Sequence, residues 1–172
     1  MGSASQSSRV DPADAQEVHE LAFEWAMSAD TKDWDRMRQI LAPKLNIDYT
    51  DVANQVFTDI SPDDWIKHSE SPRVLGGRRV STQHLLGAAK YIKVSDLQIT
   101  AHYQIRAAHV RWKDDDRTQE GLKGHGHGEM VQHYTKIDGV WKLSGWKPTV
   151  FWNEHDFERY MHFGLTQPLS EL

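Results

Sequence analysis

The sequence predicts an α+β domain in which helices pack on one face of a curved, mostly antiparallel β-sheet. The first 70 residues carry three helix starts and apolar side chains at helical spacing. Residues 80–143 contain long stretches in which apolar and polar residues alternate, as in strands with one buried face. The aromatic-rich C-terminal stretch again has helical spacing, so it is predicted to cover one end of the sheet.

The composition is that of a folded globular protein with one domain. The chain has 172 residues, of which 38% are hydrophobic and 26% charged. A net charge of −5 argues against nucleic acid or an anionic membrane as a partner. The absence of cysteine excludes disulfides and thiol catalysis. No apolar run approaches the ~20 residues of a membrane span. The N-terminus lacks the core of a secretory signal, so a cytoplasmic location is the default expectation.

The first predicted helix follows a small, polar tail over residues 1–10 that we expect to be disordered. Asp11 is a typical N-cap, and Pro12 is a typical first helical residue. An apolar stripe then recurs at steps of three and four, formed by Val18, Ala22, Trp25 and Ala29. Asp30 ends this helix, where a carboxylate opposes the helix dipole. It is either a turn residue or a side chain held there by a cationic partner.

Two further helices and a short strand complete the N-terminal half. Thr31 is predicted to cap the second helix, which Pro43 ends. A strand over residues 45–50 places the Tyr49 hydroxyl where the core opens. Ser61, followed by a proline, is predicted to cap a third helix.

Two long strands are predicted over residues 80–94 and 97–112. In the second, an apolar face begins at Leu97, continues by twos and ends on His109. In the first, His84 lies on the mixed apolar face. Each histidine is either a core side chain satisfied by the backbone or a titratable group at the end of a pocket.

A third long strand is predicted over residues 120–137. A two-residue Asp-Gly hairpin turn follows and leads into a strand over residues 140–143. Pro148 confines the last strand to an edge or an end of the sheet. Residues 152–165 have the spacing of a short helix.

The third strand contains a candidate metal site. One face carries four potential ligands, His125, His127, Glu129 and His133. The opposite face carries Gly124, Gly126 and Gly128, and glycines in a strand mark a cavity or a close approach. Met130 shares the glycine face. We therefore expect this face to look into a pocket and the histidines to look outward, toward a subunit interface, and we assign no metal here.

Several stretches together resemble the scytalone dehydratase family, whose enzyme acts in the fungal melanin pathway. They are EWAMSADTKDWDRMRQILAPKLNIDY, STQHLLGA, KGHGHG, KIDGVWKLSGWKP and FWNEHDFERY. The resemblance covers nearly the whole chain after about residue 22. It implies the cone-shaped α+β barrel shared with nuclear transport factor 2 and ketosteroid isomerase. It also implies one domain over residues 11–172 with a C-terminal helical lid.

The resemblance implies a catalytic centre. The family's acid/base histidines fall on His84 and His109, and its neighbouring aspartate falls on Asp30. The family has two tyrosines that hold a water against the substrate carbonyl, and one of them falls on Tyr49. Its enzyme removes water from a hydroxylated tetralone to give a naphthol without metal or cofactor, so no cofactor is expected here.

The positions that the resemblance assigns to substrate binding depart from the family. These positions are Ala29, Val74, Gly128, Met130, Phe157 and Met161. Ala29, Gly128 and Met130 replace a tyrosine, a serine and an asparagine, and Met161 replaces a lid aromatic. Such a pocket is expected to be larger and less polar than the family's, which suits a substrate bigger and more apolar than scytalone.

The expected function is a cofactor-free dehydratase of fungal secondary metabolism that acts on a polycyclic phenolic or ketonic polyketide, with scytalone as one candidate. Three alternatives stay open on the same fold: an isomerase, a cyclase or pericyclase that mainly holds a reactive conformer, and a non-catalytic small-molecule binder. The family's enzyme is a trimer, and the outward, histidine-bearing sheet face is compatible with a homotrimer.

Overall fold

The chain folds into N-terminal helices, a run of long strands and a C-terminal helix. The structure, a computed structural model, describes residues 9–166, so residues 1–8 of the predicted tail and residues 167–172 lie outside the described residues. The elements are α1 (Pro12–Thr31), α2 (Trp34–Ile40), β1 (Leu41–Asp48), α3 (Thr50–Ala53), β2 (Val56–Ile60), α4 (Pro62–Ser69), β3 (Val80–Ser95), β4 (Gln98–Trp112), β5 (Glu120–Ile137), β6 (Val140–His155) and α5 (Phe157–Thr166).

The strands form one six-stranded sheet in the order β2-β1-β6-β5-β4-β3. Neighbouring strands are antiparallel except β1 and β6, which run parallel. Register shifts in the β3–β4 and β5–β6 pairs add local twist and bend the sheet. The predicted fold class, α+β with a curved and mostly antiparallel sheet, is confirmed.

Helix α1 forms as its sequence predicts and covers the inner face of the sheet. The Asp11 side chain accepts a hydrogen bond of 2.9 Å from the backbone N–H of Ala13. The stripe from Val18 to Ala29 is buried. The helix ends where Lys32 adopts the left-handed conformation with φ of 60°. The last turn of α1 lies against β3, where Asp30 accepts hydrogen bonds from Thr82 and His84.

The core lies between α1 and the inner faces of the central strands. Its largest fully buried side chains include Trp146 of β6, Tyr103 of β4 and Tyr134 of β5. The alternation predicted for β4 is confirmed, since Ala101, Tyr103 and His109 are all buried. The prediction was wrong for Leu97, which is 58% exposed because it lies in the turn before β4.

The N-terminal half differs from the prediction in three details. Helix α1 continues through Thr31, so Asp33 caps α2 and accepts a 3.0 Å hydrogen bond from the N–H of Arg36. Pro43 lies inside β1, where the pairing with β6 is interrupted and no ladder bond needs its missing N–H. Helix α3 and strand β2 were not predicted because four and five residues are too few to establish a period.

Strand β6 is longer than predicted and continues through Pro148 to His155. The last pair between β1 and β6 is at Trp146, so Pro148 has a partner strand only on its β5 side. This local edge is the environment that the proline predicts. Because the strand is long, α5 begins at Phe157, and Trp152 lies in β6 with 52% of its surface exposed.

None of the helices within residues 9–166 combines the length and the apolar character that crossing a membrane requires.

Candidate active site

The register of β3 and β4 brings His84 and His109 together. Thr82 pairs with His109 and His84 pairs with Ala107, so both histidines lie on the inner face of adjacent strands. Their ring centroids are 5.5 Å apart and the rings are nearly perpendicular, at 85°. This is a distance at which two imidazoles can contact the same small molecule.

Asp30 orients His84. One carboxylate oxygen, Oδ1, lies 2.7 Å from Nδ1 of His84 and accepts a 2.8 Å hydrogen bond from the Thr82 hydroxyl. The other accepts a 2.8 Å bond from the backbone N–H of His84. Burial raises the pKa of Asp30, but the hydrogen bonds from His84 and Thr82 outweigh it, so this pKa lies below its ordinary value. The Asp30 carboxylate therefore stays ionised. Because it contacts Nδ1 of His84, the other ring nitrogen, Nε2, is left to contact a ligand.

His109 lies in a much drier environment than His84. Only 5% of its surface is exposed, and its ring packs against those of Phe157 and Tyr160 at 5.5 and 5.0 Å. Burial, reinforced by the nearby His84, lowers the pKa of His109 to about 3. A contact with the backbone of Ala107 opposes this lowering of the pKa, but Nδ1 makes no well-aligned hydrogen bond in the described part of the chain. At neutral pH this group is an uncharged imidazole that can donate one N–H.

Tyr49 supplies a hydroxyl donor on another wall. Its ring stacks on Trp65 at 5.9 Å, and its oxygen accepts a 2.9 Å hydrogen bond from the indole N–H of Trp146. Burial raises the pKa of Tyr49 to about 12. The phenol therefore keeps its proton, which remains available to a ligand oxygen because the Trp146 bond uses only a lone pair.

These groups line one cavity between the inner face of the sheet, α4 and α5. Its remaining walls are mostly apolar and aromatic. Among the predicted site residues, the cavity is lined by His84, His109, Tyr49, Val74, Gly128, Met130, Phe157 and Met161. Asp30 lies behind His84. Ala29 lies in the hydrophobic core and not among the lining residues.

The environment of Gly128 differs from the open space that its small size predicts. A Cβ atom at this position would lie 1.9 Å from the backbone carbonyl oxygen of Thr149. The register shift between His127 and Gly128 brings β6 this close. The space beside the Gly128 Cα is therefore filled by the backbone of Thr149, so the glycine does not enlarge the cavity.

Helix α5 closes the cavity over the other two glycines of β5. A Cβ atom at Gly124 would lie 2.3 Å from backbone atoms of Phe157, and one at Gly126 would lie 2.9 Å from the end of the Phe157 ring. The two glycines thus allow the start of α5 to rest directly on the strand. Phe157 is held against His109 as a result.

Three site residues were not found from the sequence. Thr82 shares a strand face with His84, so the alternation of β3 could have indicated it. Trp25 lies edge-on to His84, with ring centroids 5.3 Å apart. Tyr160 is buried beside His109, and its hydroxyl has no hydrogen-bond partner among residues 9–166. Only the three-dimensional packing of α5 reveals this last group.

The candidate metal ligands lie on the outer face, as predicted, but not as one cluster. Glu129 lies 2.9 Å from His102, and His133 lies 3.1 Å from the Thr100 hydroxyl. His125 and His127 instead converge with Glu154, a residue of β6. This last group is the part of the described chain that could hold a metal ion.

Chemically, the cavity offers a histidine backed by a carboxylate, a neutral imidazole and a protonated phenol. The first is suited to accept a proton, because the adjacent carboxylate stabilises the imidazolium that forms. The other two are suited to donate hydrogen bonds to oxygen atoms of a ligand.

Comparison with known proteins assigns the family. The family model described as scytalone dehydratase matches residues 10–166. The scytalone dehydratase arp1 of Aspergillus fumigatus is 43% identical over 82% of this chain and 84% of its own. The scytalone dehydratase of Pyricularia oryzae is 37% identical over 95% of this chain and 96% of its own. Among solved structures, the Kfla4162 protein from Kribbella flavida has a TM-score of 0.73 at 21% identity, over 86% of this chain and 97% of its own, and shows the fold alone. The chain belongs to the scytalone dehydratase family.

Proposed function

We propose that this protein is a cofactor-free dehydratase of fungal secondary metabolism that removes water from a hydroxylated polycyclic phenolic or ketonic polyketide. Family membership supports a hydro-lyase. The observation that carries the assignment is the His84–Asp30 pair facing the neutral His109 across an apolar cavity. Elimination of water needs a proton acceptor at one carbon and a donor at the departing hydroxyl, and this cavity holds both.

His84 acts as the general base. Its Nε2 accepts the proton from the carbon next to the substrate carbonyl, and Asp30 stabilises the imidazolium. The electron pair of the broken C–H bond forms an enolate and then the new C=C bond as the C–O bond to the hydroxyl breaks. The imidazolium returns a proton to the departing hydroxide, so water leaves and His84 is neutral again.

His109 and Tyr49 position the two substrate oxygens. His109 is uncharged at neutral pH, so it donates an N–H hydrogen bond to the departing hydroxyl. Tyr49 donates its phenolic proton toward the carbonyl, either directly or through a water, and thereby stabilises the enolate. Their donors are fixed before the substrate binds, Tyr49 by the Trp146 bond and His109 by the rings of Phe157 and Tyr160.

The substrate is more apolar than scytalone at the wall formed by β5 and β6. Met130 and the aliphatic atoms of Val150 line this wall, where the family has an asparagine, and the polar group nearest to Gly128 is the carbonyl of Thr149. This wall accepts one hydroxyl donor of the substrate and otherwise packs against hydrocarbon.

The outer sheet face supports a homotrimer. Leu85, Phe151 and Trp152 expose 56%, 68% and 52% of their surfaces on the sheet. Exposed apolar and aromatic side chains of this size on one face are typical of a subunit interface.

Product analysis tests this proposal. Purified protein is incubated with scytalone and with larger hydroxylated tetralone-type polyketide ketones, and products are identified by chromatography and mass spectrometry. A dehydratase gives a product lighter by one water, and this product is missing with His84→Asn and present with His19→Asn, an exposed control. A rearranged product of unchanged mass would establish an isomerase or cyclase instead, and tight binding without a product would establish a binder.

A further inference from the structure

A second cluster of potential ligands lies on the sheet face opposite the cavity. The β5–β6 register pairs His125 with Glu154 and His127 with Trp152. His125 and His127 are two residues apart on β5, so they point to the same side. Together with Glu154 they place three ligand atoms within 4.8 Å of one another. The proposed dehydration does not use any of them.

The distances fit a tetrahedral metal site. One carboxylate oxygen of Glu154 lies 3.1 Å from Nδ1 of His125 and 3.3 Å from Nε2 of His127. In a tetrahedral zinc site with metal–ligand bonds of about 2.0–2.1 Å, neighbouring ligand atoms lie about 3.3 Å apart. Two edges of such a site are therefore already formed without any metal.

The Arg106 guanidinium contacts both His125 and Glu154, so a cationic group already lies at this cluster. Arg106 lies 2.6 Å from Nδ1 of His125, and a guanidinium can only donate, so this nitrogen must present its lone pair. The same nitrogen faces the Glu154 carboxylate, which can only accept hydrogen bonds. Two acceptors therefore face each other there, with no proton between them. The buried Nε2 of His127 has no well-aligned hydrogen bond within the described residues. The lone pairs of His125 Nδ1 and of the Glu154 carboxylate meet where the Arg106 guanidinium lies, and His127 adds a third lone pair in the tautomer protonated at Nδ1. One divalent cation in place of the guanidinium can bind all three atoms.

The ligands are held in place but remain accessible. The His127 ring stacks on Trp152 with centroids 3.7 Å apart and an interplanar angle of 8°, and the His125 ring lies edge-on to His155 at 5.5 Å. The side chains of His125, His127 and Glu154 keep 20%, 19% and 36% of their surfaces exposed. In the single chain an ion can therefore enter from solvent and keep a water as its fourth ligand. In the proposed homotrimer the site lies beside the interface, because His127 stacks on Trp152.

We propose that His125, His127 and Glu154 form a binding site for a divalent transition-metal ion of the zinc type. The ion displaces the guanidinium of Arg106, whose side chain is 48% exposed and can move into solvent. It joins β5 to β6 just before α5 begins, next to the Gly124–His155 pair. Its role is structural, because the ligand side chains point to the sheet face opposite to that of His84 and His109. Binding is expected to stabilise the fold.

Titration of tag-free, chelator-treated protein with Zn²⁺ at pH 7.5 tests the site. Calorimetry is expected to show one ion per chain, and Co²⁺ in place of Zn²⁺ is expected to give the visible absorption of a four-coordinate site. His125→Asn and Glu154→Gln are each expected to weaken Zn²⁺ binding at least tenfold. His102→Asn is the matched control, since His102 lies on the same face and contacts Glu129 instead. Its Zn²⁺ affinity is expected to equal that of the wild type.

Arg106→Gln tests the site through a gain of Zn²⁺ affinity, which a misfolded variant would not show. Removing the competing guanidinium is expected to tighten Zn²⁺ binding several-fold and to increase the metal-dependent rise in melting temperature. Unchanged Zn²⁺ affinity in His125→Asn and Glu154→Gln would overturn the proposal. An equal loss in His102→Asn would also overturn it, because binding would then be spread over the surface histidines.

Discussion

Asp30 illustrates at the scale of one residue how a locally unfavourable position becomes part of the candidate site. A carboxylate in the last turn of a helix opposes the helix dipole. Here the oxygens accept hydrogen bonds from Thr82 and from the backbone of His84, and one of them contacts the His84 ring. The unfavourable charge is thereby turned into a support for the proposed base.

Replacing Asp30 by Asn tests this support. The amide keeps the size of the side chain but no longer stabilises an imidazolium at His84, so kcat is expected to fall by about 10²- to 10⁴-fold with little change in KM. Steady-state kinetics measure the effect. Thr82→Val, which removes only one of the hydrogen bonds to Asp30, is expected to lose much less activity. Wild-type kcat in Asp30→Asn would rule out the orienting role.

His109 makes the stability of the protein depend on pH. Its pKa is 6.5 in its ordinary state and about 3 in the fold, so the unfolded chain binds more protons between these values. The contribution of His109 to the free energy of unfolding is therefore greatest above pH 6.5 and falls as the pH decreases toward 3, by up to ~1.4 kcal/mol per pH unit. His109→Asn is expected to show a shallower fall between pH 6.5 and 4.5.

Urea denaturation of both proteins across this range measures the difference. The other histidines with lowered pKa, His68 and His133, contribute equally to both proteins and cancel in the comparison. Parallel curves for the wild type and His109→Asn would mean that His109 is not the dry, neutral group described above.

The sequence predicts the position of these residues better than their environment. Alternation along β4 and β3 places His109 and His84 on buried faces, and family resemblance adds Asp30 and Tyr49. Neither indicates that His109 packs between Phe157 and Tyr160, because these rings are about 50 residues away in the chain. Nor do they show that Ala29 is buried in the core and is not among the residues that line the cavity.

At the scale of elements, the contact between β5 and α5 controls how the cavity closes. The start of α5 lies on Gly124 and Gly126, with Phe157 as the contact residue. This arrangement requires strand positions without side chains. It also explains why a glycine-rich strand, which is intrinsically weak, is found in the middle of the sheet.

Gly124→Ala is expected to displace the start of α5. The new methyl group would overlap the backbone of Phe157, which cannot move without the helix, and overpacking of this kind costs about 1–3 kcal/mol. We expect a lower melting temperature and a higher KM. Gly87→Ala is the matched control, since its Cβ would meet Gln104 at an ordinary 3.5 Å. Identical behaviour of the two variants would show that α5 does not depend on Gly124.

Element boundaries were predicted well where the helical or alternating spacing of apolar residues continues over many residues, as in α1 and β3 to β5. They were predicted poorly where a bulge or a proline interrupts the pattern. Strand β6 continues past Pro148 because β1 has already ended, and only the sheet order reveals this local edge. The close approach of Thr149 to Gly128 has the same origin.

At the scale of the whole molecule, the sheet has two faces of different character. The inner face carries the cavity, and the outer face carries the exposed apolar residues and the histidine–carboxylate pairs. The sequence predicts which residues alternate, and the glycine face of β5 indicates which side looks inward. The convergence of Glu154 with His125 could not be predicted, because it depends on the register between β5 and β6.

The proposed homotrimer leads to a prediction for the outer face. Light scattering is expected to give three times the 19.8 kDa mass of one chain. Leu85→Glu and Phe151→Glu place charges on this face and are expected to give monomers, because a buried charge without a partner is costly. Val56→Glu, which changes an exposed residue of the edge strand β2, is expected to leave the mass unchanged. A wild-type monomer would contradict the trimer.

The dependence of turnover on His84 and His109 tests the central claim most directly. The rate of water loss from the best substrate is measured for the wild type, His84→Asn and His109→Asn, with folding confirmed by circular dichroism. Both variants are expected to lose at least about 10²-fold in kcat, with His84→Asn the more severe. Retained turnover in both folded variants would contradict the account, because the proton-transfer centre would then not perform the reaction.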